Sequence, residues 1–178
     1  LAAIRRGREG IFNYLQQNSV IGHASKPVNS VNGSFIDCEP SEECATYCYA
    51  TRGNYAYPNP AVKGEMINWA VKEDPVRVGE MIVREYRCMP EFDLGKALRL
   101  FDKGDISEEW IPLVRYANDH GVRFQIFSKR PEILSKLDTE RNIVMVSIDK
   151  SNLDLAEKYP DLRNFSMDIR KNTQDVIA

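Results

Sequence analysis

Three of the four cysteines lie in one short segment, Cys38-x5-Cys44-x3-Cys48. Thiolates converging from one loop can hold a metal ion or a metal cluster, and a reduced protein has few other reasons to gather them. Three loop cysteines with a distant fourth, Cys88, fit iron-sulfur ligation better than the two close pairs usual for structural zinc, which stands as the second reading. A disulfide framework is the third reading; the even count allows it, but such frameworks belong mostly to small secreted chains. Cys88, placed after a long helical stretch and just before Met89-Pro90, is either a fourth ligand or a small buried hydrophobe.

Other groups with chemistry fall where strands should end. Residues 4 to 17 read as a helix, and the turn-rich stretch from Asn18 to Gly33 shows no period and reads as a surface excursion. Ser34 to Asp37 reads as a first strand entering the cysteine loop. A helix over about 61 to 72 is followed at Asp74-Pro75 by a second one reaching about residue 87. Then come a strand at Ala97 to Phe101, a helix presenting Trp110, Leu113, Val114 and Ala117, a strand at Val122 to Phe127, and a short helix opened by Pro131. Ile143 to Ile148, a helix at about 152 to 158, and a strand at Arg163 to Ile169 complete the alternation. Strands joined by helices pair in parallel. Asp37-Cys38, Asp102 to Asp105, Ser128-Lys129-Arg130 and Asp149-Lys150 therefore emerge together at the carboxyl edge of one sheet, where α/β enzymes build their sites. Taken singly, each cluster is a solvated loop with capping residues such as Ser107, Asp149 or Ser151; together with the cysteines they read as a site.

The 178 residues, 43% hydrophobic and 28% charged, suit a soluble globular protein. The expected division is an N-terminal helix and extended loop over 1–33, then a partial (βα) barrel over 34–178. A formal net charge of -2 gives no pull toward nucleic acid or membrane, and no apolar run approaches the roughly 20 residues of a spanning helix. Leu1 to Ile4, followed by Arg5, Arg6 and Arg8, lack the apolar core of a secretion signal, so the expected location is the cytoplasm; with no initiator Met, the true start is left open. The basic run reads as a solvated face, His23 and His120 as surface or loop residues, and Tyr47, Tyr49, Tyr55 and Tyr57 mainly as packing for the long loop.

Leu98-Arg99-Leu100-Phe101-Asp102-Lys103-Gly104-Asp105, Ile111 to Val122 and Met145-Val146-Ser147-Ile148-Asp149, after a strand and a cysteine loop, resemble the core of the radical S-adenosylmethionine (SAM) superfamily. Cys44-Ala45-Thr46-Tyr47-Cys48-Tyr49-Ala50, with Arg52-Gly53-Asn54-Tyr55 and Trp69, is similar to a phage-encoded gene-product family known from mycobacteriophages and bacterial relatives. The superfamily resemblance implies a partial (βα) barrel with a [4Fe-4S] cluster on Cys38, Cys44 and Cys48 and one iron open to chelate SAM. It implies a 5′-deoxyadenosyl radical acting on a small-molecule or peptide substrate of unknown identity, and an electron donor such as flavodoxin or ferredoxin. The cofactor-binding residues implied are Tyr47 before the last cysteine, Lys103, Gly104 and Asp105 in place of the glycine-rich strand-end motif, Ser128, Lys129 and Arg130 at the next strand end, and Ser147. The cysteine gaps are five and three where the superfamily has three and two, and Lys103 replaces a glycine. An iron-sulfur module without SAM cleavage and a zinc-stapled domain are the alternatives. With about five strands, an open barrel edge also invites a second copy of the chain.

Overall fold

The computed structural model describes residues 2–22, 29–51, 57–90 and 95–166. Its elements are α1 (Ala2–Asn18), β1 (Ser30–Val31), α2 (Glu42–Tyr47), a 3-10 turn (Tyr49–Thr51), α3 (Pro58–Glu73), α4 (Pro75–Arg87), β2 (Leu98–Leu100), α5 (Trp110–Asp119), β3 (Phe124–Ser128), α6 (Pro131–Leu134), β4 (Ile143–Ile148), α7 (Asp154–Lys158) and β5 (Arg163–Ser166). The chain is a mixed α/β protein. Among the described residues no helix is long and apolar enough to cross a membrane.

All five strands are parallel and lie in the order β1-β2-β3-β4-β5. The order never reverses, so right-handed crossovers stack their connecting helices on one face. Alternation settles which side chains meet them. Leu98, Leu100, Phe124, Ile126, Val144, Val146 and Ile148 are buried in the core, while Arg99, Gln125, Phe127, Ile143 and Met145 on the other face are half-buried. Among the described residues β1 and β5 are the two edges, and the five strands form an open sheet.

Local signals made several elements legible. Trp110, Leu113, Val114 and Ala117 recur at helical spacing, and all four are buried under α5. Gly121 stops that helix with φ +87°, and Val122 N donates to Ala117 O at 3.0 Å, the paired closure that an αL residue allows. Asp74 caps α4 by accepting from Arg77 N at 3.0 Å, with Pro75 in the first turn where a missing N–H is harmless.

The first strand is a correction. It lies at Ser30–Val31, and Ser34 to Asp37 turn instead. The Ser34 hydroxyl accepts from Ile36 N at 2.9 Å, a local bond that competes with a ladder, whereas Asn29 O and Val31 O accept from Arg99 N and Phe101 N, each at 2.9 Å. The stretch from Asn18 to Gly33 is likewise no surface excursion where it is described: Val20, Ile21, Ser30 and Val31 are buried, and Gly22 bridges Ser30. Phe12 and Leu15 of α1 join the same core cluster as the sheet. Of the last strand, Arg163–Ser166 is formed, and the expected continuation to Ile169 lies outside the described residues.

Candidate functional site at the carboxyl edge of the sheet

The cysteine segment is pinned to the strand ends by polar side chains. Asn32, just past β1, accepts through Oδ1 from Asp102 N at 2.7 Å and Lys103 N at 3.0 Å, which locks the ends of β1 and β2 together. Ser34 donates to Glu65 of α3 at 2.6 Å, and Asp37 accepts from Asn68 at 2.6 Å and from Lys72. The Lys72 ammonium, then Asn68, hold the Asp37 carboxyl below its ordinary range. Cys38 follows immediately, and Glu39 pairs with Arg130 beyond β3.

What reads in sequence as a plain loop contains the helix α2. Ser41 is its N-cap, accepting from Cys44 N at 3.3 Å, and Glu42 and Glu43 occupy the first turn, where the helix dipole favours acids. Cys44 rides on this helix and Cys48 is its C-cap. The Ser41 hydroxyl also donates to Asp149 at the end of β4, and Lys129 Nζ meets the same carboxylate oxygen at 3.0 Å. Burial works against the Asp149 charge, but bonds from Ser151, Ser41 and Lys129 outweigh it and bring the carboxyl down to about 2. Asp149 thus lies at the carboxyl edge where the strand order predicts a site, and Ser41 is a site-building residue that sequence reasoning does not single out. The signal for Ser41 was a cap residue followed by two glutamates.

The three loop thiols share one electrostatic neighbourhood. Burial first, then Asp105, Cys48 and Cys44, push the Cys38 thiol up to about 12. Burial also raises Cys44, against the nearby Lys129 ammonium, with Cys48, Asp149 and Asp105 adding to the rise. All four cysteines are free. Among the described residues no group of three or more His, Cys, Asp or Glu side chains closes on a single metal ion. Cys88 stands elsewhere. It is the exposed C-cap of α4, next to Met89, whose sulfur meets Asn29 at the start of β1, and close to Tyr86, whose hydroxyl donates to Lys96 O before β2. That is the amino edge of the sheet, opposite the loop, so the four cysteines do not form one site.

The predicted cofactor residues divide. Asp105, Ser128 and Arg130 come together: Ser128 donates to Asp105, Asp105 also accepts from Ile106 N at 2.8 Å, and Arg130 Nη1 donates to Ile106 O at 3.1 Å. Burial raises the Asp105 carboxyl against those bonds and the Arg130 charge. Gly104 has φ +92°, and a Cβ there would stand 2.7 Å from Ser34 O, so the β2-end turn approaches the cysteine loop as only glycine permits. Phe101, just before it, is a bulky residue at φ +67°, held against Trp110 with ring centroids 4.6 Å apart. Lys103 turns away: Nζ donates to Pro60 O of α3 at 2.7 Å, and burial lowers its ammonium. Lys129 is engaged by Asp149. Ser147 sits on the opposite sheet face from Val146 and Ile148, by strand alternation. The Tyr47 side chain lies outside the described residues.

The sequence model of the gene product 88 family matches residues 6–176, nearly the whole chain, and the chain belongs to that family. This agrees with the phage-family resemblance and adds no support to the wider radical SAM one. No curated protein and no solved structure matches the chain.

Proposed function

We propose that this member of the gene product 88 family is a small iron-sulfur protein that binds SAM at the carboxyl edge of its sheet, in the manner of a partial radical SAM barrel. The observation that carries the reading is that Cys38, Cys44 and Cys48 lie within electrostatic reach of one another, beside Asp105 and Lys129, while Cys88 stands at the opposite edge of the sheet. Three thiols suit a cluster that leaves one iron open to an exchangeable ligand, chemistry that would supply single-electron reduction of a bound sulfonium. A parallel sheet whose strand order does not reverse, with its site loops at one edge, is an arrangement that a partial barrel would share, which supports the same reading.

The chain's own residues would act as follows. Cys38, Cys44 and Cys48 would give up their protons to hold the cluster, so loading releases protons and strengthens as pH rises. Lys129, close to Cys44, offsets the accumulating thiolate charge while Asp149 and Ser41 keep it in place. Asp105 and Arg130 would receive the amino and carboxylate groups of the ligand.

A second reading has its own support. Lys103 is turned into α3 and Gly104 is packed against Ser34 O, so the segment corresponding to the glycine-rich SAM motif is committed to internal contacts. An iron-sulfur redox or binding module without SAM cleavage fits that arrangement. Paramagnetic resonance of the reduced, anaerobically reconstituted protein separates the two: SAM should perturb the cluster spectrum under the first reading, and an indifferent spectrum selects the second.

A further inference from the structure

Arg130 has an incomplete set of partners. Its Nη1 donates to Ile106 O at 3.1 Å and its Nη2 to Glu39, while Nε is buried with no hydrogen-bond partner among the described residues. The Arg130 side chain is 16% exposed and that of Glu39 is 71% exposed. Nε and Nη2 project from the same side of the guanidinium, spaced to meet both oxygens of one carboxylate. Glu39 satisfies only one of these donors, and it reaches that position from the solvent side. A buried donor left without an acceptor is unfavourable, and a two-oxygen acceptor would satisfy both at once.

Glu39 lies between Cys38 and Ser41, so its ion pair fastens the cysteine-bearing segment to the end of β3. We infer that Arg130 recognises the carboxylate of a small-molecule ligand, and that Glu39 is its intramolecular stand-in. The ligand carboxylate takes Nε and Nη2 together, displaces Glu39, and releases the segment between Cys38 and Ser41. The inference rests on the proposed function for the ligand-binding edge and is independent of iron. A phosphate ester also offers paired oxygens, so the test includes it.

The test uses the full, reduced, metal-free chain and measures amide hydrogen exchange over residues 38–44, with succinate and inorganic phosphate as probes. Glu39→Gln should accelerate exchange by about threefold, the scale of one solvent-facing ion pair. Saturating succinate should bring the unsubstituted protein to the same rate. Arg130→Lys keeps the charge and loses the two-donor edge, so it should abolish the succinate response. A response to phosphate but not succinate would overturn the carboxylate assignment. Equal exchange in the unsubstituted protein and Glu39→Gln, with no effect of succinate, would overturn the stand-in. No cluster and no adenosyl ligand enter the measurement, so its failure leaves the iron-sulfur reading intact, and failure of cluster assembly leaves this result intact.

Discussion

The Ser41 hydroxyl serves two elements at once: it accepts from Cys44 N at 3.3 Å as the N-cap of α2 and donates to Asp149 at the end of β4. A helix of six residues has little stability of its own, so its position comes from this tether. Through it the sheet's carboxyl edge orients the helix that carries Cys44 and ends at Cys48.

Removing the cap should loosen that helix. Ser41→Ala should destabilise the protein by about 1 kcal/mol, the usual value of an N-cap. Asp149→Ala should be worse, by about 3 kcal/mol or more, since it strands the nearly buried Lys129 ammonium. Denaturant melts of the two variants check the order, and equal losses would reject the tether.

Acid should undo the same contact. The Asp149 carboxyl is held below its ordinary 3.8, at about 2 in the folded chain, so its stabilisation is complete above pH about 4 and is lost as pH falls toward 2. The side chain is fully buried, and the shift corresponds to about 2 kcal/mol. Asp149→Asn should flatten the stability profile across that window. An unchanged profile would contradict the assignment.

Thiol labelling should follow position. Cys88 is exposed at the amino edge, whereas Cys38 is half-buried with its thiol pushed up to about 12. Iodoacetamide at neutral pH should modify Cys88 first and Cys38 well behind it, since the thiolate is the reacting form. Mass spectrometry of partially labelled protein reads the order directly.

Two glycines with similar backbones should respond differently to alanine. Gly104 (φ +92°) would set a Cβ 2.7 Å from Ser34 O, while Gly121 (φ +87°) has open space around it. Gly121→Ala should cost about 1 kcal/mol of backbone strain, and Gly104→Ala distinctly more because the cysteine loop must shift. Melting temperatures of the two variants make the comparison.

Much of this was legible beforehand. Periodicity found α5, β4 and the Asp74-Pro75 junction because apolar spacing and caps are local signals. The helix α2 was missed because six residues with few apolar positions carry no period, and only Ser41-Glu42-Glu43 marks its start. β1 was displaced because Ser30–Val31 is recognisable only through pairing with Arg99 and Leu100, a contact distant in sequence. The carboxyl-edge clusters followed from topology, but Lys103 did not: whether a long side chain turns toward a ligand or into α3 depends on the three-dimensional position of Pro60.

The proposed cluster rests on Cys38, Cys44 and Cys48 and not on Cys88. Iron content after anaerobic reconstitution tests it most directly. The expected content is about four irons per chain, unchanged in Cys88→Ser and lost in Cys44→Ser. Stoichiometric zinc with no iron, or equal loss of metal in Cys88→Ser, would contradict it.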